Sequence, residues 1–158
     1  MINALHVVLI NPEIHWNTGN AGRSCLAAGA QLHLVEPLGF SLNDRAVRRA
    51  GLDYWQYVQP RVWKNLAGFE EQLPSLGSPV LFTTKAEQLY WDVDLTGAVV
   101  LVFGRETGGL PDELRKRFES RLVRIPMHSS EVRSLNLSTS VALGLYEALR
   151  QRSRQSRS

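Results

Sequence analysis

Short apolar runs rich in β-branched residues alternate along this chain with stretches whose apolar positions recur every three or four residues. Segments 5–10, 31–35, 79–83, 98–103 and 121–125 read as strands, with 54–58 a weaker sixth. Helical spacing predicts helices over 19–28, 43–50, 62–73, 111–118 and 137–152. Strands alternating with helices imply an α/β fold, a single domain with a mostly parallel sheet flanked by helices on both faces. Pro111 suits the first turn of its helix, and Gly29 and Gly51 stand where C-terminal caps belong.

The last helix departs from the usual one-sided pattern. Leu137, Val141, Leu145 and Leu149 form one stripe, while Leu135, Ala142, Leu143, Tyr146 and Ala148 spread apolar character around most of the circumference. Such a helix needs cover on more than one side. Either it runs through the core of a monomer, or a second copy of the chain covers it.

Composition narrows the class. At 158 residues, 44% hydrophobic and 21% charged, the chain has the make-up of an ordinary globular domain. It contains no apolar run long enough to span a bilayer, and no basic n-region precedes Pro12. A single cysteine, Cys25, excludes an internal disulfide and a thiolate-rich zinc site, so a cytoplasmic protein without a metal is expected. The net charge of +3 comes from the end of the chain. Arg150, Arg152, Arg154 and Arg157 are four of its 18 basic residues, which leaves 14 against 15 acidic ones, a net of −1, before them. Residues 151–158 therefore read as a basic, disordered tail, and RNA binding by the body would have to rest on local arginine clusters.

Four places carry candidate chemistry. NTGNAGR (17–23) follows the first strand and opens a helix. Asn17 or Thr18 would cap that helix, or Arg23 would reach back over the loop towards an anion or ribose. FGRETGGLP (103–111) is a glycine-rich turn after a strand, either a plain strand-to-helix turn or a loop that grips a ligand by its backbone. It lacks the lysine and hydroxyl of a Walker A loop and the spacing of GxGxxG, which disfavours a nucleotide-binding protein. Glu106 would repel phosphate and tolerate a neutral or cationic ligand. Arg45, Arg48 and Arg49 share one helical face near Tyr54, Trp55 and Tyr57, either a solvated face or an RNA contact. The histidines His6, His15, His33 and His128 lack metal-ligand spacing, Cys25 fits a small core position, and no G-x-S-x-G elbow is visible.

Three motifs in fixed order, NTGNxxR, FGxETxGLP and IPM…SLNLSxxVxxxxYE, resemble those of the SPOUT-class RNA ribose methyltransferases. EPLGFSLNDRAVRRAGLDYW is similar to the compact TrmL-type branch, whose members modify the wobble ribose of tRNA. The resemblance spans about residues 5–150. It implies one SPOUT methyltransferase domain over 1–150, a C-terminal trefoil knot, a homodimer and S-adenosylmethionine as methyl donor. It also implies tRNA as acceptor, with leucine tRNAs carrying cytidine or uridine at the wobble position expected. Carried over by position, Phe82, Gly104, Ile125, Met127 and Ser134 would hold the donor. Arg23, Asn17, Asn20, Asn136 and Tyr146 would stand at the reaction centre, and Arg45, Arg48 and Arg49 are expected on the RNA. Two positions depart from the pattern: Arg105, where proline is common, and Gly109, where arginine is common. A different-class alternative is an RNA-binding module with a degenerate pocket.

Overall fold

The computed structural model describes residues 4–43, 45 and 52–157. Six strands form one parallel sheet in the order β3-β2-β1-β5-β4-β6: β1 Leu5–Ile10, β2 Gln31–Val35, β3 Arg61–Trp63, β4 Ser78–Phe82, β5 Val99–Phe103 and β6 Leu122–Val123. The chain builds outward from β1 to β3, then restarts on the other side. β1 and β5 are therefore neighbours at the point where strand order reverses. The crevice at the carboxyl ends of such a pair is where open α/β sheets hold ligands.

The central strands are buried on both faces, as all-parallel sheets require. On one face Val7, Leu9, Leu101 and Phe103 pack under α1 (His15–Ala28), the short α2 (Trp55–Val58) and α5 (Leu137–Gln155). On the other, Val8, Ile10, Val100 and Val102 pack under α3 (Leu66–Leu76) and α4 (Asp112–Arg117). α1 lies directly against α5, and Gly29 ends it in the left-handed conformation at φ 73°, as expected. Asn65 caps α3, its side chain accepting from the Gly68 N–H at 2.8 Å.

Several expected elements differ. Segment 54–58 is helical rather than extended, because its aromatics do not alternate between buried faces: Tyr54 and Tyr57 point outward, and Val58 is the one buried residue of α2. The remaining strand is Arg61–Trp63, which overlaps the first two positions of the helix expected over 62–73. Of the helix expected over 43–50, Arg45 is exposed and helical, while Arg48, Arg49 and Gly51 lie outside the described residues. The tail expected to be disordered continues α5 to Gln155. Arg152 anchors it, donating to the carbonyls of Leu95 (3.2 Å), Gly97 (2.7 Å) and Ala4 (3.4 Å).

His6 and His33 are structural, in line with their strand positions. The Trp63 indole N–H can only donate, and it donates to His33 Nδ1 at 3.0 Å. His33 must then carry its proton on Nε2, which lies 2.9 Å from His6 Nδ1. Burial, with His6 and Arg61 nearby, pushes the His33 pKa down to about 3. Cys25 is a core residue whose thiol is pushed up to about 12 by burial.

Candidate active site

The loops that leave the carboxyl ends of β1, β4, β5 and β6 enclose a cleft of about 600 Å³. The stacked rings of Phe82 and Phe103, with centroids 4.5 Å apart, form its apolar wall. Gly144 of α5 lies behind them, so close that a Cβ there would stand 3.0 Å from Phe82 Cζ. The loop after β5 doubles back sharply, with the Gly109 N–H donating to Arg105 O at 3.0 Å. A Cβ on Gly104 would sit 2.1 Å from the carbonyl carbon of Gly109, so no other residue fits position 104. Gly109 itself has φ +66°. The open positions of FGxETxGLP are 105 and 108, so the departure assigned to Gly109 belongs to Gly108; Gly109 matches the pattern and its turn needs it.

The first and second motifs are interlocked by two carboxylates. Glu106 accepts from the backbone N–H groups of Glu13 (2.8 Å) and Ile14 (2.9 Å) and from Asn17 Nδ2 (3.1 Å). Glu13 in return accepts from the Thr107 hydroxyl (2.6 Å) and N–H (3.1 Å), which lowers its pKa. α1 begins at His15 with Ile14 at its N-cap and no side-chain cap of its own. The expected capping by Asn17 or Thr18 is therefore incorrect: both lie inside the first turn, and Glu106, 92 residues further along than Ile14, supplies the acceptor. The third motif joins through Asn136. Its Nδ2 donates to Asn17 Oδ1 at 3.0 Å, and its own Oδ1 caps α5 through the Thr139 N–H at 3.2 Å.

The structure brings Phe82, Gly104, Ile125, Met127, Ser134, Asn17 and Asn136 together around this one cleft. Arg23, Asn20 and Tyr146 do not line it. Arg23 is exposed, its guanidinium 5.3 Å from the Tyr54 ring centroid. Tyr146 is 52% exposed, in a shallow depression beside Tyr90 and Glu147. Glu106 is the site residue that sequence reasoning missed: its charge suggests a repeller of phosphate that tolerates a neutral or cationic ligand, not a partner of the first motif. A signal was present: HWNT offers no carboxylate in the first turn of α1, so its amides had to find an acceptor elsewhere.

This geometry defines an α/β protein with a cleft for a small ligand at the switch point of its sheet. The family model described as "SpoU rRNA Methylase family" matches residues 4–146. The tRNA (cytidine(34)-2'-O)-methyltransferase of Burkholderia cenocepacia is 47% identical over 148 residues, 92% of this chain and 94% of its own. A structure described as "Structural insights into the 2-OH methylation of C/U34 on tRNA" superposes with TM-score 0.90 at 41% identity, covering 96% and 98% of the two chains. The AdoMet-bound rRNA methyltransferase of Sinorhizobium meliloti aligns with TM-score 0.84 at 28% identity, over 95% of this chain and 57% of that one.

The chain belongs to the SpoU methylase family, and S-adenosylmethionine is its methyl donor. The cleft fits that donor. Its volume suits a ligand of that size, Phe82 and Leu137 offer an apolar wall, and Gly104, Ile125 and Met127 lie outside helix and strand, where their main-chain groups can pair with a ligand. Among the described residues no group of histidine, cysteine and carboxylate could hold a metal ion, and no helix is long and apolar enough to cross a membrane.

Proposed function

We propose that this protein methylates the 2′-hydroxyl of the wobble ribose of tRNA, at cytidine or uridine 34, in the cytoplasm, with leucine tRNAs as acceptors. The observation that carries the reading is the single cleft into which all three motifs converge, in a chain that matches position-34 methyltransferases over nearly its whole length. S-adenosylmethionine supplies an activated methyl group whose leaving group is neutral and needs no acid.

The protein's share is then positioning of the acceptor. Phe82, Gly104, Ile125, Met127 and Ser134 hold the donor, and Asn17 and Asn136 fix the cleft's inner edge. Glu106 keeps Asn17 in one orientation by accepting from its amide N–H. A guanidinium donates and does not accept, so Arg23 is assigned to orient the ribose and its neighbouring phosphate. Arg23 stands away from the cleft of its own chain, which supports a homodimer in which it serves the partner's cleft. The exposed Leu143 and Tyr146 on α5, with Trp16 and Leu26 on α1, are apolar surface suited to that contact. Tyr146 would then reach the reaction centre only in the dimer. Arg45, Arg48 and Arg49 are proposed to meet the tRNA backbone. The trefoil knot goes with the same reading, supported by the path of the chain from β6 at the sheet edge back to α5 on α1.

The test is mass mapping of methylated nucleosides in tRNA from cells lacking this protein, together with labelled methyl transfer to purified tRNA and rRNA. Loss of the position-34 ribose methyl, and transfer to tRNA alone, is the expected result. Transfer to rRNA, or an unchanged tRNA profile, refutes it. Arg23→Ala should retain S-adenosylmethionine binding and lose transfer; near-normal turnover would remove Arg23 from the mechanism.

A further inference from the structure

We propose that Arg105 grips the RNA backbone at the mouth of the cleft, and that Gly108 is the residue that holds it in position. The inference rests on the reading of the substrate as tRNA and adds a specificity contact to it. A Cβ built on Gly108 would lie 2.8 Å from Arg105 Nε, 3.0 Å from one terminal nitrogen and 3.3 Å from Cζ. The Arg105 guanidinium therefore lies across the bare backbone of residue 108, in space that any side chain there would claim. The turn sets this up, since Arg105 and Gly109 pair as an isolated antiparallel bridge. Gly108 is not among the glycines at positive φ, so its lack of a side chain, rather than its backbone freedom, is what the arrangement uses.

Charge at the cleft mouth points to an anion. Lys85, Arg105 and Arg133 line it, all three exposed, and among the described residues none makes an ion pair within 4 Å. Arg115, the fourth cation of the lining, is paired with Asp112. The two carboxylates in reach, Glu13 and Glu106, are already taken up by N–H and O–H donors of the interlocked loops. Arg105 lies near enough to Glu13, and Lys85 to Asp112, to help lower those carboxyls' pKa, yet neither makes a close ion pair, and three such cations around one opening attract an anionic ligand.

Two anions are candidates, the donor's carboxylate and an RNA phosphodiester. The exposure of Arg105 favours the phosphodiester of a large ligand that docks from solvent over the carboxylate of one held against Phe82 and Met127. A planar guanidinium held by packing presents paired N–H groups to two phosphate oxygens with little further loss of freedom. On this view Gly108 acts through Arg105 and is a positioning residue.

The experiment compares wild type, Arg105→Ala, Gly108→Ala and the double variant in three measurements: equilibrium tRNA binding against salt, S-adenosylmethionine binding by calorimetry, and methyl transfer at saturating tRNA. Arg105→Ala should weaken tRNA binding about 5- to 10-fold and reduce the salt slope by about 1, as loss of one phosphate contact does. Gly108→Ala should weaken binding in the same direction, because its methyl group displaces the guanidinium. The double variant should be no weaker than Arg105→Ala, since both changes remove one contact. Donor affinity and the rate at saturating tRNA should not change. Unaltered tRNA affinity in Arg105→Ala overturns the proposal. So does weakened donor binding, which would assign the guanidinium to the carboxylate, and so do additive single effects, which would detach Gly108 from Arg105. A wild-type protein that binds tRNA without methylating it refutes the function and leaves the grip readable from the binding data. One that does not bind tRNA refutes both.

Discussion

Replacing Glu106 by glutamine exchanges one carboxylate oxygen for an amide nitrogen at the junction of the first two motifs. Oε2 serves two donors, Ile14 N–H at 2.9 Å and Asn17 Nδ2 at 3.1 Å, and Oε1 serves one, Glu13 N–H at 2.8 Å. The glutamine oxygen can keep the first two, which sets its NH₂ against the Glu13 N–H. One donor is orphaned and two hydrogen bonds lose their charge, together costing about 1–3 kcal/mol. The N-terminus of α1 also loses the carboxylate that accepts from its N-cap residue, Ile14, about 0.5–1 kcal/mol more. Urea unfolding should therefore show a loss of about 1.5–4 kcal/mol. Calorimetry should show weaker S-adenosylmethionine binding, because Asn17 loses part of what orients it. Glu13→Gln is the internal control: its partner Thr107 is exposed, and the cost should be smaller than that of Glu106→Gln. A Glu106→Gln variant within 0.5 kcal/mol of wild type would refute the interlock, as would a Glu13→Gln variant that costs more.

Three further outcomes can be measured directly. His33 has a folded pKa of about 3 against about 6.5 unfolded, so the unfolded chain takes up the extra proton as acid is added. Stability should be fully present above pH 6.5 and fall by about 2 kcal/mol between pH 7.5 and pH 5; a His33→Phe/Trp63→Phe variant with an equal slope would count against it. Gly144→Ala places a methyl group 3.0 Å from Phe82 Cζ and 3.4 Å from Phe103 Cζ. Overpacking of about 1–3 kcal/mol is partly offset by helix propensity, so the main effect should be several-fold weaker donor binding as the ring pair shifts, with unchanged affinity as the contrary result. Arg152→Ala should lower stability by about 1–2 kcal/mol through its lost carbonyl contacts, measured by urea unfolding; a neutral variant would refute the anchoring role.

The parts of the fold legible in the chain were those whose physics is local. Leu5–Ile10 and Val99–Phe103 are continuous apolar runs because both faces of a parallel sheet are covered, and each appears within a residue of its expected bounds. Tyr54–Val58 misled because aromatic and β-branched residues suit a strand and an exposed helix edge alike, and only the seat of Trp55 and Val58 against Gly22 decides between them. The residues that line the cleft were legible only as motif positions, since Phe82 ends β4, Gly104 follows β5, Ile125 and Ser134 lie between β6 and α5, and they meet through sheet order. Glu106 was missed for the same reason: its partners lie about 90 residues away, beyond the reach of any local pattern. The end of α5 was misjudged from its arginines, whose charge suggests solvation, whereas Arg152 spends its donors on loop carbonyls.

The Glu106–Asn17–Asn136 chain of hydrogen bonds also sets a timetable for synthesis. A nascent chain that has emerged as far as β4 already contains β1 and α1, yet the amides of Glu13 and Ile14 have no carboxylate to meet until residue 106 arrives. Asn17 finds its second partner only with residue 136, later still. A fragment halted on the ribosome therefore owns half of each wall and no site. A ligand seated in the finished cleft would report that residues 13 to 136 have closed on one another.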